Sequence, residues 1–399
     1  MNPYLPQLHP YPFEKLVQLK QGIAPPIDKA HIALSIGEPK HPTPALITDT
    51  LVANMATLGK YPTTKGLPEL REAISAWITK RFQLAADSIN PETQVLPVNG
   101  TREALFAFAQ CIIDVTEKPY VLMPNPFYQI YEGAALLAGA EPYYLHTVAD
   151  NQYLPDFSAV PASVWRRCQL LYICSPGNPT GAVLAQAEHE RLIELALQYD
   201  FVIASDECYS EIYADESRPP QGLLQSAYAM GHTDFKNCVI FHSLSKRSNA
   251  PGLRSGFVAG DAQILQKFLQ YRTYHGCAMP VPTQYASIAA WQDEEHVREN
   301  RDFYREKFAA VTQILAEVCV VRQPEASFYL WLQTMVDDTE FAQKLFAQEN
   351  ITVLPGSFLS REFLGINPGK NHVRMALVAP LAECIEAAQR IKHFINTLV

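Results

Sequence analysis

The residues around Lys246 have the types and spacing of a reactive amine beside an anion site. Ser243 lies three residues before this lysine, and Arg254 lies eight residues after it. The preceding run, Cys238–Phe241, is short, apolar and β-branched, which predicts a buried parallel strand. A lysine at the end of such a strand is poorly solvated, so its charged form is disfavoured and free amine is left to attack a carbonyl. This spacing predicts a lysine that forms a Schiff base.

The hydroxyl of Ser243 and the guanidinium of Arg254 can converge on one anion beside Lys246. A phosphate next to a reactive amine suggests pyridoxal 5′-phosphate, because its aldehyde needs the lysine and its phosphate needs the arginine. A solvated surface lysine is the alternative, and the neighbouring hydroxyl and guanidinium favour the reactive amine.

A second candidate anion site follows the apolar run Val95–Val98. There Asn99, Gly100, Thr101 and Arg102 join a predicted strand to a predicted helix. The free N–H groups and the dipole of a helix N-terminus attract anions, and Gly100 lets a phosphate approach the backbone closely. An ordinary Asn-Gly turn is the alternative.

Two further apolar runs end in polar residues. Leu170–Cys174 leads to Asn178, and Phe201–Ser205 leads directly to Asp206. Because the carboxyl ends of parallel strands open on one crevice, we expect these two side chains to face Lys246. Asp206 could be a helix cap, but beside a pyridine ring its carboxylate would keep the ring nitrogen protonated.

Five other residues are candidates from their positions. Tyr209 follows Asp206 by three residues, Tyr128 follows a predicted strand from Tyr120, and Tyr61 precedes a predicted helix that Pro68 begins. Gly37 ends a short strand, where a missing Cβ lets the backbone approach a ligand. Arg374 lies inside an apolar strand and must therefore find an anion. These five are Gly37, Tyr61, Tyr128, Tyr209 and Arg374.

The length, charge and cysteine pattern of the chain disfavour several classes of protein. A chain of 399 residues is expected to form two domains. A net charge of −9 disfavours binding to nucleic acid or to an anionic membrane. Eight scattered cysteines without a Cys-x-x-Cys pair indicate reduced core residues. We expect no signal peptide and no membrane span, and hence a cytoplasmic enzyme.

The alternation of apolar strands and amphipathic helices predicts an α/β fold. We expect a mostly parallel central sheet flanked by helices, followed by a smaller α+β domain. The predicted divisions are an N-terminal arm with part of the small domain at 1–45, a large cofactor-binding domain at 46–290 and a small C-terminal domain at 291–399.

Four motifs in this order resemble the class I/II aminotransferases, pyridoxal-phosphate enzymes of fold type I, across nearly the whole chain. They are Asn178-Pro-Thr-Gly, Asp206-Glu-x-Tyr209, Ser243-x-Ser-Lys246 with Arg254, and Val373-Arg374. The resemblance implies an amino-group transfer between an amino acid and a 2-oxo acid, with no metal ion.

The resemblance also implies a role for each matched residue. Lys246 would bind the cofactor covalently and later move a proton to and from the substrate Cα. Asp206 would pair with the pyridinium nitrogen, Asn178 and Tyr209 would hydrogen-bond the phenolic oxygen, and Tyr128 would stack on the ring. The phosphate would be bound by Gly100, Thr101, Arg102, Ser243 and Arg254, with Tyr61 from a neighbouring subunit.

On the substrate side, the resemblance implies that Arg374 binds the α-carboxylate, with Asn178 and the backbone of Gly37 beside it. Because Tyr61 would come from the other subunit, an obligate homodimer with two shared sites is implied. One departure from the family pattern, Ser255 after Arg254, is expected to affect packing only.

The N-terminal segment is similar to that of the bacterial succinyldiaminopimelate aminotransferases of lysine biosynthesis. The similarity lies in His9-Pro-Tyr-Pro-Phe-Glu-Lys-Leu and Leu34-Ser-Ile-Gly-Glu-Pro-Lys-His-Pro. It implies transfer between glutamate and N-succinyl-2-amino-6-oxopimelate. Both substrates carry a distal carboxylate, and Arg102, Lys15 and Lys40 are equal candidates to bind it.

Two alternatives stay open at this point. Cofactor motifs do not encode the side-chain pocket, so an aspartate, aromatic or kynurenine aminotransferase is possible. A transcriptional regulator with an aminotransferase-like domain would need a DNA-binding module, for which we expect no room before the strand at Ile32.

Overall fold

The computed structural model describes residues 1–398 of the chain. The helices are α1 (Pro12–Leu19), α2 (Ala45–Ala53), α3 (Pro68–Arg81), α4 (Thr101–Ile112), α5 (Ile130–Leu137), α6 (Ala162–Trp165), α7 (Gln186–Tyr199), α8 (Leu223–Ala229), α9 (Leu244–Arg247), α10 (Ala262–His275), α11 (Val281–Gln292), α12 (Glu295–Leu315), α13 (Asp338–Glu349) and α14 (Leu381–Leu398). The strands are β1 (Ile32–Ala33), β2 (Val95–Val98), β3 (Tyr120–Asn125), β4 (Glu141–His146), β5 (Cys168–Cys174), β6 (Val202–Asp206), β7 (Cys238–Ser243), β8 (Gly256–Gly260), β9 (Tyr329–Gln333), β10 (Ile351–Thr352), β11 (Leu354–Pro355) and β12 (His372–Ala376).

The larger sheet has seven strands in the order β2-β8-β7-β6-β5-β3-β4. All neighbours pair in parallel except β8, which runs antiparallel to both β2 and β7. The central strands are almost continuously apolar because helices cover both faces of the sheet. The order reverses between β3 and β5, and the carboxyl ends of strands beside such a point form a crevice.

Two apolar cores cover the two faces of the larger sheet. One core includes Trp77 of α3 and Trp291 of α11, and the other includes Phe108 of α4 and Phe268 of α10. The mostly parallel α/β class with flanking helices is therefore confirmed.

A smaller unit contains β9, β12 and β11 as an antiparallel sheet, packed with α12, α13 and α14 around a separate core. The short strand β1 pairs in parallel with β10, so part of the N-terminal segment joins this unit. The domain boundaries at residues 45 and 290 stay predictions.

Some predicted elements differ in detail from the structure. The sequence pattern from Thr283 to about Glu317 predicts one long helical stretch, but the structure has two helices there, α11 and α12, separated at Asp293 and Glu294. The apolar run Ile351–Leu354 predicts a single strand, but the structure divides it between β10 and β11, which pair with different partners. Tyr209 would share a face with Asp206 if a helical turn began there, but the structure has a turn and no helix at Tyr209.

Within residues 1–398, no helix combines the length and the apolar character that a membrane crossing requires.

Candidate active site

A cavity of about 780 Å³ lies where β5, β6 and β7 end, and residues of the smaller unit close its other side. Most of the candidates identified from the sequence line this one cavity. They are Gly37, Thr101, Arg102, Tyr128, Asn178, Asp206, Tyr209, Ser243, Lys246, Arg254 and Arg374.

Lys246 lies on α9, the short helix that directly follows β7. Its Nζ donates a hydrogen bond to the backbone oxygen of Gly37 at 2.5 Å. Burial lowers the pKa of Lys246 to about 8, and the positive charges of Arg374 and Arg254 act in the same direction. A substantial fraction of this amine is therefore uncharged near neutral pH and can act as a nucleophile.

Asp206 is the last residue of β6, and only 4% of its surface is exposed. The hydroxyl of Tyr131 donates to Oδ2 at 2.7 Å, and the backbone N–H of Cys208 donates to Oδ1 at 3.2 Å. Burial raises the pKa of Asp206, whereas these two hydrogen bonds oppose that change. The carboxylate is thus held in one orientation inside the cavity.

The side chain of Arg374, on β12 of the smaller unit, contacts a residue that follows β5 of the larger sheet. Its Nη1 donates to Asn178 Oδ1 at 3.0 Å, and its Nη2 donates to the backbone oxygen of Ser35 at 2.8 Å. Its guanidinium lies 4.3 Å from the ring centre of Tyr329, and its buried Nε has no hydrogen-bond partner within residues 1–398. This guanidinium can bind a carboxylate that enters the cavity.

Tyr209 and Gly37 complete this side of the cavity. The hydroxyls of Tyr209 and Tyr329 are 3.1 Å apart, and burial raises the pKa of Tyr209 well above its usual value. A Cβ at Gly37 would lie 2.0 Å from the Tyr329 hydroxyl, so a side chain cannot be accommodated there.

The other side of the cavity is a cradle formed by α4, β7 and the loop before β8. Gly100 has a φ of +84° at the N-terminus of α4, and a Cβ there would lie 2.1 Å from Arg254 Nη2. Ser243 is nearby as the N-cap of α9, where its Oγ accepts from the N–H of Ser245 at 3.1 Å. Backbone N–H groups, a hydroxyl and a guanidinium together suit a phosphate.

Tyr128 and Arg102 lie at the cavity wall near the N-terminal arm. Burial raises the pKa of Tyr128 above its usual value. The side chain of Arg102 contacts the N-terminal arm, where its Nη2 donates to the hydroxyl of Tyr11 at 2.5 Å. A role for Arg102 in phosphate binding stays a prediction.

Tyr61 does not line this cavity within one chain. Its side chain is instead fully exposed to solvent. Its contribution to a neighbouring subunit's site stays a prediction. Ser255 is buried, and its hydroxyl lies 2.7 Å from that of Ser287, so it takes part in packing.

The sequence analysis assigned no role to several residues of the site, among them Tyr11, Glu38, Tyr131, Cys208 and Tyr329. Tyr131 could have been found from its position three residues after Tyr128, on one face of a helical turn. Tyr329 and Tyr11 carry no local signal, because their contacts arise only when separate parts of the chain pack together.

The residues present fit pyridoxal 5′-phosphate. Within residues 1–398, Arg102, Arg254 and Arg374 form no salt bridge with any carboxylate, although all three line one cavity. In the same part of the chain, the Nζ of Lys246 has only a backbone oxygen, that of Gly37, as its hydrogen-bond partner. Such a set of unpaired cations indicates an anionic ligand. The adjacent amine, which is partly uncharged near neutral pH, and the buried carboxylate match an aldehyde-bearing pyridine.

Comparison with known proteins agrees with this geometry. The profile of the family "Aminotransferase class I and II" matches residues 29–391. A relative named LL-diaminopimelate aminotransferase, from Desulforudis audaxviator, is 30% identical over 393 residues, which cover 96% of this chain and 95% of that protein.

Two solved structures are also similar to this chain. An aminotransferase from Neisseria meningitidis is 49% identical with a TM-score of 0.95, over 99% of this chain and 100% of that one. A probable N-succinyldiaminopimelate aminotransferase from Thermus thermophilus is 27% identical with a TM-score of 0.82, over 96% and 99% of the two chains. The chain belongs to the class I and II aminotransferase family.

Proposed function

We propose that this aminotransferase uses pyridoxal 5′-phosphate to transfer an amino group between glutamate and N-succinyl-2-amino-6-oxopimelate. The observation that carries the proposal is the charge of the cavity. The charged residues that line it are Arg102, Arg254, Arg374 and Lys246 on the positive side, and Glu38 and Asp206 on the negative side. After a phosphate and a pyridinium have used Arg254 and Asp206, Arg102 and Arg374 remain as two arginines without a carboxylate partner among the described residues, which suits a substrate with more than one carboxylate.

The cofactor would be held by groups from the larger sheet. Arg254, Ser243 and the backbone at Gly100 and Thr101 would bind the phosphate, Asp206 would face the ring nitrogen, and Tyr128 would contact the ring face. When bound, the cofactor supplies a carbonyl for the amine and a ring that withdraws electrons from the substrate Cα.

Side chains of the protein would orient the substrate and transfer the proton. Arg374 would orient the substrate by its α-carboxylate, which places the Cα hydrogen toward Lys246. With a pKa of about 8, the Lys246 amine can accept and return that proton near neutral pH. Asn178 already orients the guanidinium of Arg374 through its Oδ1, 3.0 Å from Nη1.

A second candidate substrate is LL-diaminopimelate, and two observations favour it. The relative from Desulforudis audaxviator carries this substrate in its name. In addition, Glu38 lines the cavity and could pair with the distal ammonium group, which the succinyl group would neutralise. If this candidate is right, Glu38→Gln will lower kcat/KM for LL-diaminopimelate about tenfold and leave that for the succinylated compound unchanged.

A panel of amino donors tests the proposal. The purified protein is assayed with 2-oxoglutarate and each of N-succinyl-LL-diaminopimelate, LL-diaminopimelate, aspartate and kynurenine. We expect kcat/KM to be at least 100-fold higher for the succinylated compound than for aspartate or kynurenine. A preference for either of the latter would refute the substrate and leave the family assignment intact.

We also propose a cytoplasmic homodimer whose sites are shared between subunits. Tyr61 is fully exposed, and the exposed side chains of Val52, Met55 and Leu58 precede it on the same segment. All eight cysteines are free, which is consistent with a reducing compartment.

Subunit mixing tests the shared site. Lys246→Ala and Tyr61→Phe subunits are unfolded and refolded together, so that mixed dimers contain one site with both native residues. We expect the mixture to exceed the summed activity of the two separate variants. Equal activity would mean that Tyr61 does not act across the interface.

A further inference from the structure

We propose that Asn300 is a positioning residue for Lys246, because its side chain fixes the backbone of the short helix that carries this lysine. The inference rests on the proposed function in one respect only, namely that Lys246 is the amine that reacts with the cofactor. It does not depend on which amino donor the enzyme prefers. Asn300 lies on α12, which packs in the smaller unit, so the place of the amine would be set from outside the larger sheet.

The helix α9 has only four residues, too few to be stable without contacts from other elements. Carbonyl groups at the end of a helix have no N–H partner within that helix, so other donors must satisfy them where they are buried. The Nδ2 of Asn300 donates to the backbone oxygens of Lys246 at 3.0 Å and of Arg247 at 3.2 Å. One amide group from another element therefore holds the end of α9 and the backbone of Lys246 itself.

Asn300 is in turn held in one orientation. It is buried, and its Oδ1 accepts from the Nδ2 of Asn249 at 2.8 Å. The same Oδ1 lies 3.3 Å from Nδ1 of His41, whose Nε2 lies 2.6 Å from the Nζ of Lys307. Because an amide oxygen only accepts and an ammonium only donates, Nδ1 of His41 carries the hydrogen and Nε2 accepts. Burial and the charge of Lys307 lower the pKa of His41, which agrees with a neutral ring.

The segment that contains His41 also contacts the lysine at the end of its side chain. The backbone oxygen of Gly37, in the same segment, accepts from the Nζ of Lys246 at 2.5 Å. One connected set of contacts thus fixes both the backbone and the amine of Lys246. If Asn300 loses its two donor contacts, we expect the amine to move from its place in the cavity, while the phosphate cradle of the larger sheet stays intact.

The test compares two forms of the cofactor that differ in the group that meets Lys246. The aldehyde of pyridoxal 5′-phosphate forms a covalent adduct with the amine, whereas pyridoxamine 5′-phosphate has no carbonyl and cannot. Asn300→Leu and Asn300→Asp approximately keep the size of the side chain and remove its N–H donors.

The first measurement is the rate constant for adduct formation with Lys246, obtained by borohydride reduction and mass spectrometry. Above pH 9, where this rate should no longer change with pH, we expect it to fall at least tenfold in both variants, because the amine is displaced. The dissociation constant of pyridoxamine 5′-phosphate, measured by equilibrium dialysis, should stay within twofold of the native value.

An unchanged rate above pH 9 would overturn the proposal. An equal loss of affinity for pyridoxamine 5′-phosphate would overturn it as well, since that result indicates general damage to the site. So would an effect confined to Asn300→Asp that only moves the midpoint of the pH profile, because an added charge explains it. Asn350→Asp is the matched control, since this buried asparagine donates to the backbone oxygen of Lys29 at 2.7 Å, far from the cofactor in sequence, and its variant should keep both constants within twofold.

A milder variant covers the case in which neither Asn300 variant folds. His41→Leu removes one of the two donors to the Oδ1 of Asn300, so it should lower the rate two- to fivefold without changing the affinity for pyridoxamine 5′-phosphate; a native rate would overturn the proposal. Failure of the proposed function is a distinct result, because the native protein itself would then form no adduct at Lys246.

Discussion

The reactivity of Lys246 should follow a titration near pH 8 instead of that of an ordinary lysine. With a pKa of about 8 in place of 10.5, about a quarter of the amine is uncharged at pH 7.5, roughly 200-fold more than for a solvated lysine. The sign follows from burial, which disfavours the ammonium form, so reactivity rises as the proton is lost. Below pH 8 the rate should increase about tenfold per pH unit, and above pH 9 it should be constant.

The assay measures covalent modification directly. Cofactor-free protein is mixed with pyridoxal phosphate between pH 6 and 10, reduced with borohydride at timed intervals and digested, and the Lys246 peptide is quantified by mass spectrometry. Lys307 provides a matched control, because burial lowers its pKa to about 8 as well, yet it does not line the cavity. Lys307→Gln should keep the fast phase, and Lys246→Ala should abolish it. A rate that still rises tenfold per unit beyond pH 9.5 would refute the assigned environment.

Three further substitutions test the remaining contacts. Arg374→Lys keeps the charge but not the two-point geometry, so we expect kcat/KM for glutamate to fall about 100-fold in steady-state assays, corresponding to ~3 kcal/mol. Tyr131→Phe removes the hydroxyl 2.7 Å from Asp206 Oδ2, which should reduce kcat about 10-fold or more and shift the visible absorption band of the bound cofactor; an unchanged spectrum would contradict this. Gly100→Ala places a Cβ 2.1 Å from Arg254 Nη2 at a φ of +84°, so the dissociation constant for pyridoxal phosphate should rise at least tenfold in equilibrium dialysis.

The positions of Asn178, Asp206 and Lys246 could be predicted from the sequence because each follows an apolar run. Parallel strands bring their carboxyl ends to one edge, so the local pattern is sufficient to place such residues together. The mostly parallel α/β class was predictable for a similar reason, from the alternation of apolar strands and helices. The family was identified from its resemblance in four motifs, and both predictions are confirmed.

Contacts between separate parts of the chain could not be predicted in this way. The Tyr209–Tyr329 contact joins the larger sheet to the smaller unit, and the Arg102–Tyr11 contact joins α4 to the arm. Neither pair has a fixed spacing along the sequence, since both depend on how distant elements pack. The contact of Tyr61 could not be predicted from spacing along the chain either, because its predicted partner is another subunit.

In the proposed function, the division of the site between two sheets would separate the residues that bind the cofactor from the arginine that binds the substrate. Lys246, Asp206 and Arg254 all belong to the seven-stranded sheet or the segments that directly join its strands, whereas Arg374 belongs to the three-stranded sheet and meets Asn178 through a single side-chain hydrogen bond. A small rotation between the sheets would then release a product from Arg374 without disturbing the residues proposed to bind the cofactor. The proposed enzyme could in this way release each product between its two half-reactions while its cofactor stays bound.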